Sequence, residues 1–172
     1  MLLFIDADIV FEVQAADAVV ALAAQIPGVV GAIYSSKRPG GAAIVQQVPG
    51  TNHLPCFTGG DVRDVLAVGM GLTAIHSYVL KRTPARNLIV KSMGGPSRRV
   101  RMWFATTDPD WDEVESDDYA FCRRARAAGC KIVVDARQRI EHIGPYRYRL
   151  EDIARPLVTA ETLLLPAPKI DP

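Results

Sequence analysis

Near its start the chain carries a continuous apolar run, Leu2-Leu3-Phe4-Ile5, that stops at Asp6-Ala7-Asp8. Four consecutive apolar residues closed by carboxylates leave no polar face. The run therefore predicts a short strand buried on both sides, with two acids where the backbone leaves it. A strand of that kind requires neighbouring strands and covering layers, and the following sequence offers both in alternation. Residues 14–25 are Ala-rich and read as a helix closed by Pro27-Gly28. Residues 29–34 form a β-rich run, Lys37-Arg38-Pro39-Gly40-Gly41 a basic loop, and residues 42–48 a second short strand before a Pro/Gly/Asn-rich connection through Gly60. Residues 65–75 are apolar but interrupted by Gly69 and Gly71, where the backbone is expected to approach something closely. A short helix over residues 77–82 and a loop-rich insertion over residues 86–97, which contains Gly94-Gly95-Pro96, come next.

The strongest helix signal begins at Ser116, a suitable N-cap. Asp117 and Asp118 in its first turn complement the helix dipole, and Arg123, Arg124 and Arg126 lie further along. Phe121, Cys122, Ala125 and Ala128 fall on one face, which predicts the core side, and Gly129 supplies a left-handed stop. Residues 131–135 read as a strand, and a second run leads to His142-Ile143-Gly144. The expected architecture is an α/β domain with a mixed sheet over residues 1–144, followed by a Pro-rich tail over residues 145–172.

Composition removes several function classes. The 172 residues carry 20 Lys+Arg against 19 Asp+Glu, a net charge of +1, which gives no support for a non-specific nucleic-acid grip. No apolar stretch approaches the roughly 18 to 20 residues that span a bilayer. The early acids at Asp6 and Asp8 do not fit a signal peptide. Cys56, Cys122 and Cys130 are an odd set without a CxxC, which suggests reduced thiols in a cytoplasmic protein. Fifteen of the twenty basic residues are Arg, a bias that suits anion recognition and that a GC-rich genome would equally produce.

Two carboxylates two residues apart at a strand end can converge on a hard cation or a metal–phosphate unit. Asp6-Ala7-Asp8-Ile9-Val10 fits the first motif of haloacid-dehalogenase-type phosphatases, where Asp6 would be the nucleophile and Asp8 the general acid. That reading needs a later Ser/Thr and Lys, for which Ser35 and Lys37 are available, and a paired acid after a strand. Gly60-Asp61-Val62-Arg63-Asp64 has the wrong spacing for it and no apolar run before it. The same Asp6-Ala7-Asp8 also fits the DxD motif of metal-dependent glycosyltransferases. The segment Val68-Gly69-Met70-Gly71-Leu72-Thr73-Ala74-Ile75 looks like the glycine-containing stretch of those enzymes. Ser116-Asp117-Asp118-Tyr119-Ala120-Phe121-Cys122-Arg123-Arg124-Ala125 resembles their "ED" helix, and Glu141-His142-Ile143-Gly144 their HxG close. In order and spacing, residues 2–144 resemble the family-2-type glycosyltransferases of the GT-A fold.

The resemblance implies a divalent cation, Mn²⁺ or Mg²⁺, held by Asp8 and His142 with Asp6 contacting the ribose or the metal's water shell. It implies a nucleotide-sugar donor bound by Asp6, Asp8, Lys37 and Arg38, and a carbohydrate or other hydroxyl acceptor lying on Gly69, Met70 and Gly71. Asp118 matches the catalytic base of inverting members. Asp117 stands where the family has Glu, which shortens its reach toward the acceptor. The resemblance further implies that an N-terminal nucleotide-binding βαβ portion lies outside this polypeptide, because only five residues precede Asp6. Three explanations stay open: a fragment of a longer enzyme or a misplaced start, a missing half supplied by a partner chain or a second copy, or a degenerate protein that keeps the metal site without transfer activity. A truncated, non-catalytic binding protein is the remaining alternative beside the phosphatase.

Overall fold

The computed structural model describes residues 1–37, 42–48, 61–90, 95–105 and 115–149. Along the chain the elements are β1 (Leu2–Ile5), β2 (Ile9–Phe11), α1 (Val13–Gln25), β3 (Gly28–Ile33), β4 (Val45–Gln46), β5 (Val62–Asp64) and β6 (Ala67–Val68). They continue as β7 (Leu72–Ile75), α2 (Ser77–Arg82), β8 (Arg86–Val90), β9 (Arg98–Met102), α3 (Asp117–Ala127), β10 (Lys131–Ile143) and β11 (Arg147–Tyr148). The main sheet runs β1-β7-β3-β10, with β3 and β10 parallel and β7 antiparallel to both of its neighbours. Strands β1, β3 and β10 therefore point the same way, with one reversed strand among them. This is the expected α/β class with a mixed sheet.

Side-chain alternation explains the layering. In β3, β7 and β10, Val29, Ile33, Ile75, Ile132 and Val134 face one side and pack on Phe121, Cys122 and Ala125 of α3. Val30, Ala32, Leu72, Ala74 and Val133 face the other side and pack on Ala15, Val19 and Ala23 of α1. Both faces of the central strands are thus covered, which is why they read as unbroken apolar runs. Phe121 stacks on Phe104 at 4.5 Å, and Phe104 meets the edge of Phe4 at 5.1 Å, so an aromatic row ties α3 to β1.

Several expectations change. Among the described residues β1 pairs only with β7, and Leu2, Leu3 and Ile5 are exposed instead of buried on both sides. The expected strand over residues 42–48 contracts to β4 and an isolated bridge between Ser35 and Ala43. Residues 62–64 form β5, paired with β10, despite the absence of an apolar run. The insertion over residues 86–97 holds β8, which makes a two-stranded hairpin with β9. Ser116 occupies the N-cap position of α3, but its side chain makes no bond to the helix backbone. The sheet also continues past Gly144: β11 pairs with His142 and Ile143, and Tyr148 is buried. Residues 150–172 and Cys56 lie outside the described residues; Cys122 and Cys130 are free and buried. No helix among the described residues is long and apolar enough to cross a membrane.

What the sequence shows as two runs, 131–135 and 139–143, is one strand with a register shift between Asp135 and Arg139. Asp135 pairs with Ala32 and Arg139 with Ile33, so residues 136–138 are looped out over a single step of β3. Asp135 organises that loop. Its fully buried carboxylate accepts from the Arg137 backbone N–H at 3.1 Å, from Arg137 Nε and Nη2 at 2.8 Å each, and from Gln138 Nε2 at 3.2 Å. Burial raises the Asp135 pKa, but the Arg137 and Gln138 hydrogen bonds outweigh it and leave the group below its ordinary value. A carboxylate with a lowered folded-state pKa stabilises the fold above its unfolded value and loses that contribution as pH falls through the folded one. Asp135→Ala is therefore expected to cost about 1.5–3 kcal/mol in urea denaturation at neutral pH. The gap between variant and wild type should close progressively below about pH 4; a gap independent of pH would show that the carboxylate's charge is not what holds the bulge.

Candidate active site

The carboxyl ends of β1 and β3, the segment leading into β7 and the far end of β10 meet at one end of the sheet, the position where open α/β sheets bind ligands. The contact that builds this end is between Tyr34, the residue after β3, and the backbone of residues 69–71. A Cβ on Gly71 would lie 2.6 Å from Tyr34 Cζ, and one on Gly69 would lie 2.4 Å from the Tyr34 hydroxyl and 2.5 Å from Ile44 Cγ2. The two glycines are the close-approach positions the sequence predicted, and what approaches is a buried phenol ring. The Gly71 N–H donates to the Tyr34 hydroxyl at 3.1 Å, and the Thr73 hydroxyl donates to the Gly69 carbonyl at 2.9 Å.

Two carboxylates bracket this segment. The Asp6 N–H donates to the Gly71 carbonyl at 2.9 Å, which fixes the start of the Asp6-Ala7-Asp8 turn. The Met70 N–H donates to Asp118 Oδ2 at 3.4 Å, which places the first turn of α3 against the other side. Asp118 is half-buried, and desolvation pushes its pKa up, against lowering hydrogen bonds from Ser116 and its own backbone. Asp117, beside it, is exposed. The Tyr34 pKa is raised, first by burial, with Asp6 and Asp118 both adding repulsion, so the phenol stays neutral between two acids.

Asp8 stands at the centre of a second group. Its Oδ2 is bonded by Lys37 Nζ and lies 3.5 Å from His142 Nε2. The Lys37 hydrogen bond holds the Asp8 carboxyl below its ordinary pKa, with His142 adding in the same direction against partial desolvation. His142 Nδ1 lies 3.1 Å from the Ser35 carbonyl oxygen. A carbonyl only accepts, so Nδ1 carries a proton, and the Nε2 edge of the ring is turned toward Asp8. The backbone fixes this pairing too, because the Ile143 N–H donates to the Asp8 carbonyl at 2.7 Å. Tyr34 meets His142 edge to face at 5.4 Å.

The structure thus brings together Asp6, Asp8, Lys37, Gly69, Met70, Gly71, Asp118 and His142 from distant parts of the chain. Among the described residues no three His, Cys, Asp or Glu side chains are grouped as a metal site. Arg38 lies outside the described residues. The member that sequence reasoning missed is Tyr34. Its signal was a hydroxyl-bearing aromatic ending an otherwise apolar run, since a buried phenol O–H must find a partner. No protein-family model matches this chain, and no curated protein matches it.

Gly71→Ala is expected to destabilise the protein by about 1–3 kcal/mol in urea denaturation, because the methyl group overpacks the Tyr34 ring. The same substitution in a Tyr34→Ala background should cost much less. Additive effects in the two backgrounds would show that the ring does not impose the glycine.

Proposed function

We propose that this chain is the metal-, diphosphate- and base-bearing portion of a GT-A-like glycosyltransferase, transferring a sugar from a nucleotide-sugar donor to an acceptor hydroxyl. The observation that carries the reading is the pair of groups gathered at the Gly69–Gly71 segment. Asp8, with His142 Nε2 facing it, follows Asp6, which bonds Gly71, and the partly desolvated Asp118 accepts from the Met70 N–H. A carboxylate oxygen and an imidazole nitrogen would form an O/N donor pair that suits Mn²⁺ better than Mg²⁺, which prefers all-oxygen shells. The Ser35 carbonyl gives His142 the outer partner that ligating imidazoles commonly have. The bound cation would neutralise the nucleoside diphosphate as it leaves.

The chain's own residues take the remaining roles. Asp118 Oδ accepts the acceptor hydroxyl's proton as that oxygen attacks the anomeric carbon. Lys37, with Asp6, is assigned to the donor side, where its ammonium can move from Asp8 to a phosphate oxygen. The Gly69–Gly71 backbone floors the space between. Asp117, exposed and one methylene shorter than Glu, orients the acceptor less strongly. Among the described residues β1 pairs only with β7 and exposes Leu3 and Ile5, so this edge is where a nucleotide-binding unit would continue the sheet. The phosphatase reading is disfavoured by one observation. It requires Asp8 to act as a general acid, yet Lys37 stabilises the ionised form of that residue.

Mn²⁺ titration followed by electron paramagnetic resonance, with and without a panel of nucleoside diphosphates, tests the assignment. Asp8→Ala and His142→Ala are each expected to weaken Mn²⁺ retention by about tenfold or more, while Asp118→Asn leaves it unchanged. Metal retention that survives both ligand substitutions would remove the metal assignment, and hydrolysis of p-nitrophenyl phosphate that depends on Asp6 would restore the phosphatase. Where turnover is measured, Asp118→Asn should lower it by about 10²- to 10⁴-fold. Its acid limb should fall above the ordinary Asp value, since a base works only when ionised and burial raises this one.

A further inference from the structure

The net charge of +1 conceals a segregation. Between Asp64 and Asp108 the chain has no acidic residue and seven basic ones, Lys81, Arg82, Arg86, Lys91, Arg98, Arg99 and Arg101. The β8–β9 hairpin falls within this stretch as a two-stranded sheet separate from the main one. Its apolar side chains are not put away. Leu88 is 49% exposed and Ile89 62%, and Val90, Val100 and Met102 are exposed as well. The register places Leu88, Val90, Val100 and Met102 on one face with Arg98, and Ile89 with Arg99 and Arg101 on the other. At its root the hairpin is fastened: Trp103 Nε1 donates to the Leu80 carbonyl at 3.2 Å, and Arg124 donates to the Ala105 and Trp103 carbonyls. Between the root and α2 lies a groove of about 300 Å³ lined by Lys81, Thr83, Asn87, Arg99 and Arg101 among others. The Thr83 hydroxyl in it is buried without a hydrogen-bond partner among the described residues.

We infer that the β8–β9 hairpin is a membrane-surface anchor that inserts shallowly into bilayers containing anionic lipids. Exposed aliphatic side chains interleaved with arginines that have no acidic partner among the described residues match the two components of such a surface. The aliphatic groups enter the acyl boundary while the guanidinium groups reach lipid phosphates. The groove at the root, with its two arginines, a lysine and an unused hydroxyl, has the charge and size for one phosphate headgroup. A second copy is a poor occupant, because pairing two such hairpins would set basic stretches without acids against each other. Nucleic acid is a poor one as well. The aromatic nearest the hairpin, Trp103, is half-buried and tied to Leu80, which leaves aliphatic groups where bases would stack.

Co-sedimentation of the full chain with vesicles tests this. Binding is expected to vesicles of seven parts phosphatidylcholine to three parts phosphatidylglycerol, to fail on pure phosphatidylcholine, and to weaken with salt. Replacing both Arg99 and Arg101 by Gln should lower partitioning by about thirtyfold, and Ile89→Asp by about tenfold or more. All three sites are exposed, so the variants should unfold at the wild-type temperature and keep wild-type Mn²⁺ retention, which separates this test from that of the transferase reading. The inference is overturned by equal affinity for neutral vesicles, or by binding that persists in Ile89→Asp. Binding to heparin or single-stranded DNA without binding to anionic vesicles would overturn it too.

Discussion

The ring of Tyr34 lying flat against the backbone of residues 69–71 is the contact on which the rest of the site depends. The ring reaches that backbone because two of the three residues have no side chain to hold it off. Once seated, its hydroxyl accepts the Gly71 N–H, its edge meets His142, and the segment beneath it offers one amide to Asp118 and one carbonyl to Asp6. A single buried side chain thus sets the spacing between the acid on α3 and the acids after β1. Because interiors are close-packed, that spacing cannot drift without opening a cavity or compressing the ring. A site assembled from the ends of β1, β3, β7 and β10 and from the first turn of α3 needs a common spacer of this kind. Hydrogen bonds from each element to its own neighbours would leave the five free to shift relative to one another.

Strand β10 supplies the other half of the geometry by doing two jobs in one piece of chain. Its first half is a core strand, parallel to β3 and covered on both faces. Its second half leaves β3, takes β2 and β11 as partners, and carries His142 to Asp8. The change of partner requires the looped-out residues 136–138, and these are held by the Asp135 carboxylate through Arg137 and Gln138. A charge buried in the sheet would be costly alone. Here it is satisfied by four hydrogen bonds within three residues, so its position at the bulge is both the cause of the bend and its support.

These two features also show how much was legible in the sequence. Local signals carried well: α2 occupies residues 77–82 as read, Gly129 takes its left-handed conformation at φ +80°, and the acids at 6, 8 and 118 fall at element ends. Long-range pairing did not carry. Lys37 meets Asp8 across 29 positions, and His142 meets Ser35 across 107, with no local pattern to announce either. Strand β5 has no apolar run because its backbone pairs with β10 while its side chains stay partly in solvent. Exposure of Leu2, Leu3 and Ile5 is likewise a property of what lies beside β1, which composition does not contain. The hairpin at residues 86–102 was hidden by Gly94-Gly95-Pro96, which reads as a loop although it separates two strands. A whole-chain charge near zero averaged its basic character away.

The electrostatic contrast between Asp8 and Asp118 separates two acids that the sequence presents alike. Both are half-exposed or less and both end a turn beside apolar packing, so sequence alone gives them the same weight. Their surroundings separate them. Asp8 is surrounded by Lys37 and His142 and is stabilised as an anion, the state a metal ligand must have. Asp118 has lost solvent without gaining a cation among the described residues, and its proton affinity is raised. A carboxylate pair kept only for helix or turn stability would gain from matching partners on both members, since an unpaired, desolvated acid weakens the fold. Among the described residues one acid is supplied with a cation and the other is not, and the proposed metal-ligand and base roles rest on that division.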